Sequence, residues 1–423
     1  MSAAQPKAWL VSAGWGLAIL TLINLFNYLD RFVVAALFES LKHSTLALSD
    51  RQLGFLMSAF LIVYMAAAPV FGALGDRRPR PRLIALGVAV WSVATVLSGL
   101  AGNYLALIAA RASVGIGEAA YGTIAPSLLA DYFPVSRRGR IMAIFFCAIP
   151  VGAALGYVVG GLVDAHFGWR AAFFVAGTPG LLLAALCLLL PDPPRGSQDK
   201  AGGAATPEHS APTPAPTPSI RMTYWRLLGN RPYALAVLGY AAYTFAVGGL
   251  GAWMPAFLER VRGMPKAQAT VYFGGIVVVT GFVGTFAGGW LGDYCTRYSR
   301  QAHLWLCGIS MLVGAPFVWM ALTTTATVAY VVYMVIAQFL IFLSTGPINA
   351  VIVNLASPLE RASAIALSVC AIHLLGDVIS PPIIGALSDA TSLGEAVKIV
   401  PIAVLISGLV WCLAARAQRA RNQ

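Results

Sequence analysis

Two carboxylates and two arginines lie inside long apolar stretches of this sequence, Asp30 and Arg31 in the first stretch and Arg111 and Glu118 in a later one. An ionisable side chain in the middle of a membrane-spanning helix costs about 2.5–3.5 kcal/mol on insertion scales, and it usually faces water or a partner. Desolvation favours the neutral form of a carboxyl group, whereas a neighbouring cation favours its charged form. Asp30 and Glu118 are therefore suited to exchange protons as water reaches them from either side of a membrane.

Polar residues at helical spacing accompany these charges. Residues that recur every three or four positions share one face of a helix. The first such set is Asn24, Asn27 and Arg31, and a later one is His373, Asp377 and Ser380. Arg31 and Arg111 are suited to hold a phosphate or carboxylate group, and Tyr121 is among the aromatic residues that could line a cavity. For all of them an alternative stays open, namely buried contacts that only hold helices together, and Asp377 could simply cap a kink before Pro381.

A short basic motif occurs twice, about half of the 423-residue chain apart. Both copies have the pattern Gly-x-x-x-Asp-x-x-x-Arg and follow an apolar run. The first copy extends from Gly72 through Asp76 and Arg77 to Arg80, and the second from Gly289 through Asp293 to Arg297. A sequence that repeats itself once in the same orientation is typical of a transporter built from two similar helix bundles.

These motifs are predicted to form a conformational latch. Asp76 lies where it can cap the N-terminus of a facing helix or pair with the basic run that starts at Arg137. Asp131 is placed to form a salt bridge with Arg80, and the second motif repeats the device in the second half. The residues assigned to this latch are Gly72, Asp76, Arg77, Arg80, Asp131, Arg137, Asp293 and Arg297.

The composition indicates which elements hold these residues. Charged residues make up 10% of the chain, hydrophobic residues 59%, and the mean hydropathy is +0.77, whereas a soluble protein carries about 25% charged residues. Apolar runs of about 20 residues predict twelve transmembrane helices. Their approximate limits are 12–37, 53–75, 83–101, 104–132, 140–164 and 170–190 in the first half, and 232–258, 268–291, 301–322, 326–354, 361–388 and 394–416 in the second. The chain is predicted to be an all-α membrane protein with two six-helix bundles.

The distribution of arginine predicts the topology. Basic residues are concentrated in the loops after the second, fourth and eighth spans and in the C-terminal tail, which the positive-inside rule assigns to the cytoplasm together with both termini. The net charge of +12 is therefore a topology signal rather than a nucleic-acid site. A Pro-rich stretch at 191–219 is predicted to be a disordered cytoplasmic linker between bundles at 1–190 and 220–423.

Other classes of protein fit the sequence poorly. An intramembrane enzyme needs a nucleophile with its base or a set of metal ligands, but none of the five histidines lies in an HExxH motif. The six cysteines show no metal spacing and no CxxC motif. A membrane sensor would need a signalling domain, and the sequence contains none. We expect no enzymatic activity, no metal and no cofactor.

The repeated motif, the twelve spans and the central linker resemble the major facilitator superfamily over the whole chain. Three further motifs resemble the Spinster family of lysolipid and sphingolipid transporters: Asn27-Tyr-Leu-Asp30-Arg31, Gly115-Ile-Gly-Glu118-Ala and His373-Leu-Leu-Gly-Asp377-Val-Ile-Ser380-Pro381. The resemblance implies proton-linked alternating access, with Asp30 and Glu118 as the protonation pair and Arg31 and Arg111 as their partners or as head-group ligands. It also implies that Asp76 and its arginines latch the cytoplasmic side.

One departure bears on the direction of transport. Gly152, Gly156 and Gly160 form a ladder that permits close helix packing. The same stretch lacks the proline of the signature that is typical of antiporters in this superfamily. The direction of transport therefore stays open.

We expect a proton-coupled secondary active transporter that moves a lipid-like amphiphile, of the lysophospholipid or sphingolipid type, by alternating access. Its expected partners are this substrate, protons and membrane lipids, and we expect a monomer. The alternative is a proton-coupled exporter of drugs or of aromatic or organic anions, for which the arginines would only tune the carboxylates. The short termini are typical of a bacterial inner-membrane protein.

Overall fold

A computed structural model of the chain describes residues 5–198, 220–356 and 361–422. These residues are helical or lie in short connections, and no β-strand occurs among them. The helices of the first half are α1 (Gln5–Ala36), α2 (Phe38–His43), α3 (Asp50–Arg77), α4 (Arg80–Leu100), α5 (Tyr104–Tyr132), α6 (Val135–Phe167) and α7 (Trp169–Cys187). Those of the second half are α8 (Ile220–Gly229), α9 (Arg231–Arg260), α10 (Lys266–Cys295), α11 (Ala302–Thr323), α12 (Thr327–Phe342), α13 (Thr345–Leu355), α14 (Arg361–Ile372), the π-helix His373–Asp377, α15 (Ser380–Ala390), α16 (Leu393–Ala396) and α17 (Ile399–Asn422). The predicted all-α fold is confirmed.

Eleven helical segments within the described residues are long and apolar enough to cross a membrane. The twelfth predicted span, 104–132, is present as the 29-residue helix α5. Its length is sufficient for a crossing, but Arg111 and Glu118 lower its mean hydropathy. The predicted span that is not among these eleven segments therefore carries two of the candidate functional charges.

Two predicted spans of the second half are interrupted rather than continuous. The span at 326–354 consists of α12 and α13, with Leu343 and Ser344 between them. The span at 361–388 consists of α14, the π-helix and α15, and Pro381 lies in the first turn of α15. Proline cannot donate to the helical ladder, so the helix is broken before it, and single π-helical turns are frequent at functional sites.

The chain divides into two compact units. The first comprises residues 1–48 and 59–213, and the second comprises residues 49–58 and 214–423. Helix α3 thus contributes its first turns to the second unit and the rest to the first. Within the predicted linker, residues 191–198 are ordered against the first unit, so the prediction of disorder is wrong for them, and residues 199–219 lie outside the described part of the chain.

Glycines set the distance between α1 and α6 in the first unit. Gly152, Gly156 and Gly160 of α6 all face α1. A Cβ atom at position 156 would lie 2.6 Å from the carbonyl oxygen of Leu29, and one at position 160 would lie 2.9 Å from a methyl group of Val33. The close packing that the glycine ladder predicted is confirmed.

The second unit is built around a buried tryptophan of α17. Trp411 donates a hydrogen bond from its indole nitrogen to the carbonyl oxygen of Ala236 in α9 at 3.0 Å. Gly239, one turn further along α9, leaves the space that the indole ring fills. On the other side of α17, Gly308 of α11 faces Cys412. Small residues therefore fix α17 between α9 and α11.

Candidate functional site

The four charged residues predicted for the site form two ion pairs between α1 and α5. Nη2 of Arg31 lies 2.5 Å from Oε2 of Glu118. Nη1 of Arg111 lies 3.2 Å and 3.3 Å from the two carboxylate oxygens of Asp30. Asp30 and Arg31 are neighbours on α1, whereas Arg111 and Glu118 lie about 10 Å apart along α5. Each arginine thus reaches across to the other helix, and each carboxylate has a guanidinium partner.

The two pairs differ in their access to surrounding space. The side chains of Asp30, Arg111 and Glu118 are each 1% exposed, whereas that of Arg31 is 19% exposed. The guanidinium carbon of Arg31 lies 4.7 Å from the ring centre of Tyr28 and 4.9 Å from that of Phe60. Both distances are within the range of cation–π attraction. Two aromatic rings therefore hold Arg31 while leaving part of it accessible.

A cavity of about 150 Å³ lies beside the Arg31–Glu118 pair within the first unit. Its lining combines polar and aromatic side chains with a few small or aliphatic ones. The lining residues are Asn24, Asn27, Tyr28, Arg31, Tyr64, Glu118, Tyr121, Gly122, Pro126, Phe145, Phe146 and Ile149. Asp30 and Arg111 are not among them, so only one of the two ion pairs faces this space.

Several buried polar atoms of the cavity lining have no hydrogen-bond partner among the described residues. They are Oε1 of Glu118, Nδ2 of Asn27 and Nε of Arg31. A buried polar atom without a partner costs about 1–3 kcal/mol. These atoms supply one acceptor and two donors next to an open space, which is the arrangement that a bound polar group or water would complete.

Two other polar residues of the lining are already satisfied by the backbone. The hydroxyl group of Tyr121 donates to the carbonyl oxygen of Leu20 at 2.6 Å. Nδ2 of Asn24 donates to the carbonyl oxygen of Phe145 at 2.9 Å. Tyr121, which the sequence placed among the substrate-contacting residues, therefore presents its ring rather than a free hydroxyl group to the cavity.

Glycines of α5 bring the aromatic residues of α3 to this site. Gly115 packs so closely against the backbone at Phe60 that a Cβ atom there would collide with its carbonyl oxygen. One at Gly122 would lie 2.9 Å from the hydroxyl oxygen of Tyr64. The absence of side chains at these two positions allows α3 to approach α5 and to place Phe60 and Tyr64 beside Arg31.

His373 and Asp377 form a separate pair in the second unit. Nδ1 of His373 lies 2.9 Å and 3.1 Å from the carboxylate oxygens of Asp377, and both side chains are partly exposed. The π-helix carries both residues. Ser380, predicted to share their face, is buried, and its hydroxyl group has no partner among the described residues. The two residues meet each other as their spacing predicted, and a contact with substrate stays a prediction.

Arg80 of the first basic motif is buried in a network at one end of the first unit. Its Nη1 lies 2.5 Å from Oδ2 of Asp131, and its Nε lies 2.8 Å from Oδ1 of Asp192. Its Nη2 also donates to the carbonyl oxygen of Pro193 at 2.6 Å. Arg195 continues the network by donating to the carbonyl oxygen of Gly75 at 2.6 Å. The expected Arg80–Asp131 contact is present, and residues 191–198 are ordered because they share in it.

The second basic motif has a different and exposed arrangement. Oδ1 of Asp293 lies 3.3 Å from Nε2 of His303, and the carboxylate is 84% exposed. Arg297 stacks over the ring of Tyr294 at 5.4 Å instead of joining a network like that of Arg80. Among the remaining latch residues, Arg77 and Arg137 are exposed. The space beside Gly72 is open, because no atom lies within 4 Å of the position that a Cβ atom would take there. The side chain of Asp76 lies outside the described part of the structure. A latch function for these residues stays a prediction.

Sequence reasoning missed the aromatic residues around Arg31 and the partner Asp192. Tyr28 lies three positions before Arg31, a spacing that could have identified it as a neighbour on the same helix face. Phe60 and Tyr64 are four positions apart on α3, but nothing in their spacing relates α3 to α5. Asp192 lay within a segment assigned to the linker because of its prolines, and composition alone gives no sign of its bond to Arg80.

The model of the Major Facilitator Superfamily matches residues 20–381 of the chain. The chain is 34% identical over 396 residues to protein spinster homolog 1 of Xenopus laevis, an alignment that covers 89% of this chain and 73% of that protein. It is 33% identical over 429 aligned positions to the sphingosine-1-phosphate transporter SPNS2 of Mus musculus, covering 93% and 75% of the two chains.

Solved structures show the same fold. A bacterial homolog of the human lysosomal transporter Spinster, in an inward-facing and unoccupied conformation, matches with a TM-score of 0.85 at 24% identity, over 99% of this chain and 98% of that one. The inward-open xylose transporter XylE of E. coli matches with a TM-score of 0.73 at 18% identity, over 95% and 96% of the two chains. At these identities the likeness concerns the fold alone.

Proposed function

Because the chain belongs to the Spinster family of the major facilitator superfamily, we propose that it is a proton-coupled transporter that moves a lipid-like amphiphile across the membrane by alternating access. The chain is an integral membrane transporter, and its relatives are transporters rather than enzymes. The observation that carries the finer proposal is the cavity beside Arg31 and Glu118. It combines a cation, a carboxylate and aromatic rings with buried polar atoms that lack partners.

The coupling is proposed to arise from a competition for Arg31. When Glu118 is charged, its carboxylate occupies the guanidinium group of Arg31. When Glu118 takes up a proton, this attraction weakens, and Arg31 can hold an anionic head group such as a phosphate or carboxylate. Proton binding and head-group binding then favour each other, as reciprocal linkage requires. The affinity for an anionic head group should accordingly rise as the pH falls.

Asp30, the second carboxylate assigned to proton coupling, is proposed to act more slowly. Both of its carboxylate oxygens lie within hydrogen-bonding distance of Nη1 of Arg111, and neither residue lines the cavity. A proton can reach Asp30 only in a conformation in which Arg111 has moved away. We therefore assign proton exchange from the cavity to Glu118. As long as Arg111 stays in place, we assign the Asp30–Arg111 pair the role of positioning α1 against α5.

The size of the cavity limits what it can hold. About 150 Å³ is below the 300–1,000 Å³ that is usual for a drug-sized ligand, so the cavity suits a head group rather than a whole amphiphile. The same size favours the second candidate, a proton-coupled exporter of compact aromatic or organic anions. The relatives named for sphingosine-1-phosphate transport support the amphiphile.

Equilibrium binding to the purified protein separates these candidates. Lysophosphatidylcholine and compact hydrophilic organic anions would be tested on the wild-type protein, on Arg31→Ala and on the control Arg419→Ala, which removes an exposed arginine near the end of α17. We expect saturable binding of the lysolipid that is weakened by Arg31→Ala and unchanged by Arg419→Ala. Binding of the compact anions alone, unaffected by Arg31→Ala, would contradict the amphiphile proposal.

A further inference from the structure

Helix α10 of the second unit has two faces of opposite character. One face carries small residues that pack closely against neighbouring helices. A Cβ atom at Gly284 would lie 2.9 Å from the carbonyl oxygen of Phe339, one at Gly292 would lie 2.7 Å from the ring of His303, and one at Gly288 would collide with the carbonyl group of Leu343. This face therefore fixes the rotation of α10 within the second unit.

The opposite face of α10 carries a ladder of aromatic side chains, which we call the aromatic face. Its members recur at every fourth position and so share one stripe of the helix. They are Phe282, Phe286, Trp290 and Tyr294, and Tyr298 continues the series in the turn after the helix ends at Cys295. Phe286, Trp290, Tyr294 and Tyr298 are 66%, 71%, 41% and 76% exposed. The large rings are therefore uncovered on a helix whose other face is tightly packed.

The rings form two groups of contacting neighbours, Phe282 with Phe286 and Trp290 with Tyr294 and Tyr298. The ring centres of Phe282 and Phe286 are 6.2 Å apart with the planes inclined by 17°, and those of Trp290 and Tyr294 are 5.8 Å apart at the same angle. Tyr294 and Tyr298 follow with ring centres 5.8 Å apart and hydroxyl oxygens 3.2 Å apart. Stacked rings have few free torsions and offer a pre-ordered apolar surface.

The exposed faces of α4 and α17 are aliphatic by contrast. Their exposed side chains are those of Leu86, Val93, Leu97, Ile402, Leu405, Ile406, Leu409 and Leu413. Ordinary contact with mobile acyl chains requires no more than such side chains. We therefore expect the aromatic face of α10 to contact a different kind of molecule, one that stays bound along the row of rings.

The length and polarity of the aromatic face match one molecule of a membrane leaflet. From Phe282 to Tyr294 the helix rises about 18 Å, which is most of the roughly 20–22 Å of one leaflet with its head groups, and Tyr298 follows in the turn after the helix. Phenylalanine lies at the apolar end, and tryptophan and tyrosine follow in the order usual at a membrane interface. Arg297, over the ring of Tyr294, supplies a cation where a head group would lie.

We propose that the aromatic face of α10 binds the single chain of the transported amphiphile on its way between the leaflet and the transporter, with the head group beside Arg297 and Tyr298. The inference rests on the proposed function, because it names the route of the same substrate.

Photolabelling of the full-length protein in proteoliposomes tests this route. The probe is lysophosphatidylcholine with a diazirine at the end of its chain, and labelled peptides are identified by mass spectrometry. We expect saturable labelling of the segment 282–298 that excess unlabelled lysophosphatidylcholine removes and excess diacyl phosphatidylcholine does not. The segment 402–413 of α17 serves as the internal control, and its labelling should resist both competitors.

A matched pair of variants adds a functional measurement. The double variant Phe286→Leu/Trp290→Leu keeps the surface apolar but removes the rings, whereas Trp319→Leu removes a half-exposed ring of α11. We expect the double variant to raise the KM for lysolipid uptake about tenfold, with little change in maximal rate, and Trp319→Leu to leave KM unchanged.

The outcomes distinguish failure of the route from failure of the function. Saturable uptake with unsaturable labelling of α10, equal to that of α17, would overturn the route alone and identify the face as ordinary lipid contact. An unchanged KM in the double variant would also overturn it. If the protein neither binds nor transports the lysolipid, both the route and the proposed function are wrong.

Discussion

The two ion pairs between α1 and α5 have the same chemistry and different surroundings. Arg111 and Asp30 are both 1% exposed and form an ion pair, in which one guanidinium nitrogen contacts both carboxylate oxygens. Arg31 is 19% exposed, lies between two aromatic rings, and faces a cavity that its partner Glu118 also lines. One pair is sealed within the helix packing, whereas the other borders a space that a ligand can enter.

The difference indicates that access, rather than charge or depth, separates a structural pair from a functional one. A sealed pair is stabilised by mutual attraction that offsets the desolvation of both charges, and the loss of one partner leaves the other uncompensated. A pair beside a cavity can exchange its partner for water, a proton or a ligand. We therefore assign mainly stability to Asp30–Arg111 and mainly transport to Arg31–Glu118.

The largest loss of stability is expected from breaking the Asp30–Arg111 ion pair. Asp30→Ala leaves the guanidinium group of Arg111 buried without its partner, which should lower the free energy of unfolding by about 3–5 kcal/mol. Thermal unfolding of the purified protein measures this loss. The double variant Asp30→Ala/Arg111→Leu removes both charges and should recover most of it. A single variant as stable as the wild type would show that the pair is not structural.

A second sealed arginine extends the comparison to the basic motifs. Arg80→Ala removes the bonds to Asp131, Asp192 and Pro193 and should cost about 3 kcal/mol of stability. Arg297→Ala, at the exposed equivalent position, should change stability by no more than about 0.5 kcal/mol. Chemical or thermal unfolding of both variants checks the difference. Equal losses in the two variants would contradict the distinction between sealed and exposed motif residues.

At the open pair, the expected effect is on binding rather than on stability. Arg31→Ala should weaken lysophosphatidylcholine binding about 10- to 100-fold, the range expected for the loss of hydrogen bonds to a charged group. Arg31→Lys keeps the charge but not the fork of donors, and it should give an intermediate affinity. Isothermal titration on detergent-solubilised protein distinguishes the three. Unaltered affinity in Arg31→Ala would remove this arginine from the head-group site.

The smallest effect is expected at Tyr121, which lines the cavity with its ring only. Tyr121→Phe keeps the ring and deletes the hydroxyl group that donates to Leu20, so it should cost about 1 kcal/mol of stability. Ligand affinity should stay within about twofold of the wild type, because the deleted group points at the backbone. A large loss of affinity with unchanged stability would show that this hydroxyl group contacts the ligand.

The sequence predicted the helical membrane fold and the identities of the four charged residues, because both follow from composition and from the cost of burying charge in a membrane. It did not predict how the charges pair. The partners depend on the register between α1 and α5 and on the reach of the arginine side chains, and neither can be obtained from spacing within one helix.

The aromatic surroundings of Arg31 were equally hidden, because they depend on packing between helices that are distant in the sequence. Phe60 and Tyr64 reach the site since Gly115 and Gly122 allow α3 to approach α5. The glycines were visible in the sequence, but the helix that packs against them was not. The order of residues 191–198 was missed for a similar reason, since proline-rich composition outweighed the charges of Asp192 and Arg195.

Proton movement coupled to substrate uptake tests the assignment of Glu118 most directly. Proteoliposomes that contain a pH-sensitive dye would be given lysophosphatidylcholine, with the wild type compared with Glu118→Gln and with the control Glu395→Gln, which alters an exposed carboxylate outside the cavity. A gradient of one pH unit is worth about 1.4 kcal/mol per proton, or about tenfold in accumulation. We predict that the wild type and Glu395→Gln move protons with the lysolipid and reach this accumulation, whereas Glu118→Gln exchanges lysolipid without proton movement and accumulates none. Proton movement at the wild-type rate in Glu118→Gln would contradict the account.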